Sequence, residues 1–345
     1  PLAGVLFAFP KERFQSAVAG WYQRRYGLMI SPEAVCPAQG IMPGALWMLL
    51  LSLTEPGDTV LIQAPVYHNF RIVTENMGRK VLSSDLLLRE GRYEMDWADL
   101  AEKASRPEVR ALLLCSPHNP VGRVWTREEL ARLCQICARN HVLILSDEIH
   151  GDIVYPGHSH TPILAIPGAA EFCAVMSGPA KTFNLAGFYS AYVVIPNAAM
   201  RQAYERVYEQ FHFDYNFMGM EALIAAYDAC EDFVEQQNCY FTENLSVVRD
   251  FLRREMPELR LIEPEGTYLL WLDCRAWGLK QLELMARFAG WGVGLNDGSM
   301  YGPGGEGFVR MNIATRRAVL AEALGRIKTG YAEWKKNGGA DAARQ

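Results

Sequence analysis

The sequence predicts an α/β fold in which a mainly parallel sheet is sandwiched by helices and a smaller α+β unit follows it. A chain of 345 residues is long enough to bury a sizeable core. Between residues 55 and 195, short apolar runs alternate with helical patterns, as in parallel sheets whose strands are joined by helices. Beyond residue 255 the pattern changes, and strand-like segments at 264–273 and 307–314 predict a separate unit.

The first predicted element is an amphipathic helix over residues 11–26, ended by Gly27. Its apolar residues recur at three- and four-residue spacings, namely Phe14, Val18, Trp21 and Tyr22. An apolar helix over 44–53 follows, far shorter than the roughly 20 residues of a membrane span. The Gly40 segment that opens this helix has two interpretations, an anion-binding helix N-terminus or a simple turn.

Six apolar runs predict the strands of the large sheet: 59–62, 80–82, 111–115, 142–145, 173–176 and 191–195. In open sheets of this kind, ligands bind at the carboxyl ends of the strands. The segments directly after strands are therefore the candidate site: 64–67, 116–120, 146–150 and 177–187.

Two further helices are predicted over 217–229 and 231–255, and the second of them leaves the sheet domain. The smaller unit then has helices near 280–290 and 315–330. We predict a large domain over residues 28–235 and a small domain made of 1–27 and 236–335, with the N-terminal helix packed on the latter. Residues 336–345 lack an apolar stripe, which predicts a disordered tail.

Charge and cysteine usage limit the functions that the protein can have. The net charge of -5 provides no basic face for nucleic acid, so we expect no nucleic-acid partner. Eight cysteines lie in apolar segments without a secretory leader, which predicts reduced thiols and a cytoplasmic protein. Cys134 and Cys137 should lie one turn apart on a helix and pack in the core, because no second pair completes a zinc site. The chain begins at Pro1 without an initiator methionine, and we expect further residues before it.

Six segments, in this order, resemble the fold-type I pyridoxal-phosphate enzymes and, within them, the MalY/PatB group of cystathionine β-lyase-like proteins. They are Ala64–Phe70 (APVYHNF), Ser116–Gly122 (SPHNPVG), Leu145–His150 (LSDEIH), Lys181–Gly187 (KTFNLAG), Glu265–Leu272 (EGTYLLWL) and Gly307–Ala314 (GFVRMNIA). The resemblance extends over nearly the whole chain. It implies pyridoxal 5'-phosphate as cofactor, a homodimer with each site at the interface, and no metal.

The resemblance assigns the central chemistry to three residues. Lys181 would bind the cofactor covalently and act as the base that removes the Cα proton. Asp147 would pair with the pyridine nitrogen and keep it protonated, the alternative being a helix N-cap. Asn119 would donate a hydrogen bond to the ring oxygen, the alternative being a turn residue before Pro120.

Further positions would hold the cofactor and the substrate. Tyr67 would stack on the ring and contact the substrate, unless it is a core aromatic. The phosphate would be bound by the backbone amides of Ile41 and Met42 and by the Ser177 hydroxyl. His150 stands where the lyase-like group has histidine, the alternative being a surface histidine. Arg310 would bind the substrate carboxylate through its planar fork, unless it forms a structural ion pair.

Two departures from the group concern the N-terminus. Relatives carry an N-terminal arm that helps to cover the site and a Gly-Tyr-Thr segment whose tyrosine reaches the phosphate of the partner subunit. Here the corresponding segment, Leu6–Phe9, has no tyrosine. These departures imply looser cofactor binding rather than loss of the fold.

The resulting functional prediction is a carbon–sulfur β-lyase that acts on cystathionine, cysteine or a related sulfur amino acid. His150 and the segment 265–272 favour this activity. An aminotransferase on the same scaffold is the nearest alternative. A regulatory protein that binds the cofactor and a transcription factor is the alternative from another class, because a fold does not determine a function.

Overall fold

A computed structural model describes residues 10–211, 216–336 and 338 of the chain. Its α-helices are α1 (Lys11–Tyr26), α2 (Trp47–Leu53), α3 (Asn69–Asn76), α4 (Trp97–Ala104), α5 (Arg127–Arg139), α6 (Pro179–Thr182), α7 (Ala198–Gln210), α8 (Phe217–Ala229), α9 (Glu231–Glu255), α10 (Gln281–Gly290) and α11 (Arg317–Lys336). Its strands are β1 (Val35–Gln39), β2 (Thr59–Ile62), β3 (Lys80–Ser83), β4 (Leu87–Arg89), β5 (Arg92–Glu94), β6 (Val109–Cys115), β7 (Leu143–Asp147), β8 (Cys173–Ser177), β9 (Ser190–Val194), β10 (Arg260–Ile262), β11 (Leu269–Asp273), β12 (Asn296–Asp297) and β13 (Phe308–Asn312).

The large sheet has seven strands in the order β1-β9-β8-β7-β6-β2-β3. Neighbouring strands from β3 to β8 run parallel, whereas β9 is antiparallel to both β8 and β1. The predicted mainly parallel sheet is therefore confirmed. Strand β1 was not predicted, because a run of five residues that contains Pro37 and Gln39 lacks a strand pattern. An edge strand tolerates proline because only one of its sides is paired.

The apolar strands are covered on both faces because successive side chains point to opposite sides of a sheet. Along β6, Leu112 and Leu114 belong to one core cluster, and Ala111 and Leu113 belong to another. Such double burial explains why these strands are apolar throughout rather than alternating. Helices on both faces of the sheet were predicted and are confirmed.

Helix α1 packs against the unit that contains the large sheet. Its Phe14, Val18 and Trp21 are buried in the first core cluster, and the Trp21 ring stacks on Tyr227 of α8 with ring centroids 4.6 Å apart. The predicted packing of this helix on the smaller unit is therefore wrong. The apolar stripe of this helix was predicted correctly, but such a stripe does not determine which surface of the protein will cover it.

The smaller unit has a four-stranded antiparallel sheet in the order β10-β11-β13-β12. A third core cluster joins this sheet to α9, α10 and α11. The α+β character is as predicted, while the domain boundaries stay a prediction. Helix α11 extends to Lys336, so the predicted tail lies outside the described residues apart from Lys336 and Gly338.

A buried ion pair connects the two units. Glu265 accepts hydrogen bonds from Arg123 Nε (2.9 Å), the Val124 amide (2.9 Å) and Arg92 Nε (3.0 Å). Burial by itself raises the pKa of Glu265, but the Arg123 charge and these bonds outweigh it, so that the pKa lies below its usual range. Arg123 is itself only 2% exposed, and this pair positions the Glu265–Leu272 segment beside the large sheet.

Two sequence predictions concern cysteines and membranes. Cys134 and Cys137 lie on α5 and are buried in the first core cluster, as interpreted from the sequence. In the parts of the chain that the structure describes, no helix combines the length and the apolar character needed to span a membrane.

Candidate active site

A cavity of about 490 Å³ lies at the carboxyl ends of the central parallel strands. Eight of the nine predicted site residues line it: Ile41, Met42, Tyr67, Asn119, Asp147, His150, Lys181 and Arg310. Their convergence follows from strand register. Cys115 ends β6 opposite Asp147 at the end of β7, and Asp147 in turn lies opposite Met176 of β8. Parallel strands bring their carboxyl ends to the same edge of the sheet.

Asp147 is a buried carboxylate that borders the cavity. It is 5% exposed, and its Oδ1 accepts a hydrogen bond from the Ile149 amide (3.1 Å). Burial raises the pKa of Asp147 to about 7, more than the nearby Lys181 charge lowers it. No helix begins here, because residues 149–152 are turn residues, so the N-cap interpretation is wrong. A cation placed in the cavity would favour the ionised carboxylate.

Lys181 lies on the short helix α6 directly after β8. The next residue, Thr182, donates a hydrogen bond to Asp152 Oδ2 (2.9 Å). Asp152 also accepts hydrogen bonds from Trp21 Nε1 (3.2 Å) and the Tyr26 hydroxyl (2.7 Å) of α1. The N-terminal helix therefore helps to hold the turn that carries Lys181.

Arg310 reaches the cavity from the smaller unit, in the middle of β13. It donates hydrogen bonds to Asn119 Oδ1 (2.9 Å) and to Asn296 Oδ1 (2.8 Å). Its Nε is buried and has no acceptor among the described residues. Burial lowers the pKa of Arg310. Since its partners are amide oxygens rather than carboxylates, the structural ion-pair interpretation is wrong, and the guanidinium can still receive an anion.

Asn119 and Tyr67 each had a predicted alternative to a cofactor contact, namely a turn residue before Pro120 and a core aromatic. Asn119 is buried and its Oδ1 is engaged by Arg310, which leaves its amide Nδ2 as the group that can donate to a ligand. Tyr67 is only half-buried, and its hydroxyl accepts a hydrogen bond from Asn69 Nδ2 (2.7 Å). Burial raises the pKa of Tyr67, so this hydroxyl is neutral near pH 7.

His150 is an uncharged, buried histidine rather than a surface one. It is 4% exposed, and its ring meets Tyr268 edge to face with centroids 5.6 Å apart. Burial lowers the pKa of His150 to about 3, with the charges of Lys181 and Arg310 contributing less. Its buried Nδ1 has no partner among the described residues.

Ser177 is the predicted site residue that does not line the cavity. Its hydroxyl donates a hydrogen bond to the backbone oxygen of Glu148 (3.2 Å). The prediction that this hydroxyl donates to a phosphate is therefore not supported by its orientation. Successive residues of a strand point to opposite sides, and the apolar run did not show which side Ser177 would take.

A helical turn over Ile41–Leu46 leads from Gly40 into α2. Gly40 has a φ of 75°, a conformation that glycine adopts without strain. The first amides of a helical segment have no acceptor in a preceding turn. Ile41 and Met42 thus present backbone N–H groups beside the cavity, and the anion-binding interpretation of this segment fits better than a simple turn.

The cavity lining also includes residues that were not assigned to the site from the sequence, and four of these are Asn69, Tyr189, Tyr268 and Asn312. Asn69, Tyr268 and Asn312 lie within segments on which the family resemblance rests. The sequence therefore indicated these segments but did not single out the three residues. Tyr189 lies two residues beyond such a segment, with a φ of 48°. Only the folded chain shows that it lines the same cavity as Lys181.

Comparisons with known proteins agree with this geometry. The sequence model of the family "Aminotransferase class I and II" matches residues 9–327. Cystathionine beta-lyase PatB of Bacillus subtilis (strain 168) is 37% identical over 325 residues, which are 93% of this chain and 84% of that protein.

Two solved structures are similarly close. Cystalysin from Treponema denticola, which contains a pyridoxal 5'-phosphate cofactor, superposes with a TM-score of 0.92 at 30% identity and covers 95% of this chain and 84% of its own. A PLP-bound putative aminotransferase from Clostridium difficile 630 superposes with a TM-score of 0.91 at 35% identity, covering 95% of this chain and 86% of its own.

Proposed function

The chain belongs to the aminotransferase class I and II family, and we propose that it is a pyridoxal-phosphate-dependent carbon–sulfur β-lyase. It would convert cystathionine or a related cysteine thioether, with water, into pyruvate, ammonia and a thiol. The observation that carries this proposal is the 37% identity with a cystathionine β-lyase over 93% of the chain. The resemblance identified from the six sequence segments is confirmed at this level.

The residues around the cavity fit pyridoxal phosphate. The buried carboxylate of Asp147 would face the protonated pyridine nitrogen, and the Tyr67 ring would stack on the cofactor. Asn119 Nδ2 would donate to the ring oxygen, and the amides of Ile41 and Met42 would receive the phosphate. Each of these assignments is part of the proposal. Support comes from the shared cavity and from the cofactor in the related cystalysin.

The bound cofactor supplies an electron-withdrawing ring that stabilises negative charge at the substrate Cα. Arg310 would bind the substrate α-carboxylate and orient the Cα–H bond. Lys181 would then accept the Cα proton at its Nζ, and the thiolate would leave Cβ with the electron pair of the C–S bond. Asp147 would keep the proton on the ring nitrogen. His150, uncharged at neutral pH, would add no competing positive charge.

An aminotransferase is the second candidate, because the same cavity serves both reactions and one close structure is a putative aminotransferase. The two activities differ in the substrates that they need. Elimination would need only the thioether and water, whereas transamination would also need a keto acid to accept the amino group. Sustained turnover without a keto acid therefore separates them.

We expect the purified protein to release pyruvate from cystathionine far beyond one equivalent per site when no keto acid is added. Pyruvate, ammonia and thiol should appear in equal amounts, and 2-oxoglutarate should not accelerate the reaction. A single burst of cystathionine consumption that resumes only on addition of 2-oxoglutarate would instead establish the aminotransferase. The protein with its cofactor reduced by borohydride serves as the inactive control.

The same proposal includes a cytoplasmic homodimer. Four apolar side chains near the site are exposed: Phe188 at 40%, Tyr189 at 60%, Phe217 at 48% and Met218 at 66%. Asn216 Nδ2 donates to the Phe188 backbone oxygen and so joins the two segments into one patch. Tyr189 also lines the cavity, so a second copy on this patch would help to close the site. The unpaired state of all eight cysteines agrees with a reducing compartment.

We expect sedimentation to show a dimer at low micromolar concentration, and Met218→Asp to shift it toward monomer because the new charge would be buried. Glu322→Lys on the exposed face of α11 changes charge away from the patch and should leave the dimer intact. A wild-type monomer with full activity at that concentration would contradict the interface.

A further inference from the structure

A second cavity of about 710 Å³ adjoins the candidate active site. We propose that it holds the leaving-group half of the substrate and selects thioethers that end in a carboxylate. This inference rests on the proposed lyase function and specifies its substrate class. The two cavities share Ala180, Lys181, Ala186, Tyr268 and Asn312. A substituent on the Cβ of a substrate held at Lys181 can therefore extend into the second cavity.

Part of the lining of the second cavity suits a hydrocarbon chain. Phe233, Phe241, Tyr268 and Ala314 provide apolar surface along it. Phe241 is buried in the third core cluster and meets the Tyr268 ring edge to face at 5.5 Å, so this wall is held by packing on both sides. Methylene groups next to a sulfur atom would be removed from water here, which favours binding.

Two nitrogen donors at the same cavity lack acceptors. The amide Nε2 of Gln237 is buried and has no hydrogen-bond partner among the described residues. Arg316 is exposed at the rim, and its side chain forms no ion pair or hydrogen bond with any described residue. Among the described residues, no acidic side chain lines the cavity. A buried donor and a free cation together favour an anionic acceptor, and the planar guanidinium matches a carboxylate.

The proposed substrate thus has two carboxylates with different partners. Arg310 binds the α-carboxylate in the first cavity, and Arg316 and Gln237 bind the distal carboxylate in the second. Cystathionine has such a distal group, whereas cysteine has only a thiol and would leave the second cavity without a ligand. We therefore expect a preference for long thioethers that end in a carboxylate.

Calorimetry with two sulfides that lack an amino group tests the subsite without turnover. The holoprotein should bind carboxyethyl carboxypropyl sulfide about fivefold more tightly than carboxyethyl butyl sulfide, as expected for one exposed ion pair. Arg316→Met and Gln237→Leu should each abolish most of this difference while leaving the butyl compound unaffected. Arg253→Met, on an exposed part of α9 that lines neither cavity, is the matched control.

Equal affinity of the wild-type protein for the two sulfides would overturn the inference, as would equal losses for both sulfides in the Arg316→Met protein. Steady-state kinetics distinguish a failure of the subsite inference from a failure of the lyase proposal. S-carboxypropyl-L-cysteine should have about fivefold higher kcat/KM than S-butyl-L-cysteine, and Arg316→Met should remove this preference. A wild-type protein that releases no pyruvate from either thioether would contradict the lyase function, while the calorimetric comparison would still decide the subsite.

Discussion

Replacing Lys181 by alanine should lower β-elimination by at least about 10³-fold, the range expected for loss of a positioned base. The variant should also lose the covalent bond to the cofactor, since no other lysine lines the cavity among the described residues. Borohydride reduction followed by peptide mapping measures this directly. In the wild-type protein the pyridoxyl group should be found on the peptide that contains Lys181.

Lys328→Ala is the control for this prediction. Lys328 is an exposed residue of α11 that pairs with Glu255 (2.9 Å) and lines neither of the two cavities. Its removal should change neither the label nor the rate. If reduction labels another lysine, or if the Lys181→Ala protein retains most of its turnover, the assignment of Lys181 is wrong and the roles proposed for its neighbours lose their basis.

Asp147→Asn should reduce kcat by about 10²- to 10³-fold, comparable to loss of one preorganised electrostatic contact. The substitution preserves shape and the hydrogen bond from the Ile149 amide but removes the negative charge. Without that charge, the proton on the ring nitrogen is no longer favoured. The cofactor absorbance as a function of pH reports this change, because the ring nitrogen should lose its proton at a lower pH than in the wild-type protein.

The adjacent buried acid provides the comparison. Glu148 points away from the cavity, where it accepts hydrogen bonds from the Ser146 hydroxyl (2.9 Å) and the Ile163 amide (2.9 Å) and contacts His160 Nε2 (3.2 Å). Glu148→Gln should therefore lower thermal stability while leaving the pH dependence of the cofactor spectrum unchanged. Identical spectral shifts in both variants would show that the effect is general disruption rather than the loss of a charge beside the ring.

Much of the site could be predicted because its residues follow strands. A buried strand needs a continuous apolar run, and a polar residue that ends such a run lies at the sheet edge where ligands bind. Asp147 and Lys181 were found by this reasoning. Their roles, in contrast, came from the resemblance, since apolar periodicity identifies a strand end but does not assign chemistry to it.

The wrong predictions concern residues whose local sequence pattern is compatible with two different positions in the fold. Ser177 lies at the end of a fully buried strand, whose apolar run is the same for side chains on either face, so the hydrogen bond from its hydroxyl to the Glu148 carbonyl could not be predicted. Helix α1 has an apolar stripe that could be covered by either unit. Its partner is Tyr227, some 200 residues away, so the choice depends on the packing of the whole chain.

By itself, the sequence determined six of the seven strands of the large sheet, several of the long helices and the identity of the groups available for chemistry, because each depends on residues close together along the chain. Tertiary structure alone decided which of these groups meet. It placed Arg310 against Asn119 and directed Asp147 and Glu148 to opposite sides of one strand end. At the cavity that shares Lys181, it left Gln237 Nε2 and Arg316 without acceptors among the described residues. Such contacts join residues up to 191 positions apart, and their geometry is set by the packing of two sheets and not by any local pattern.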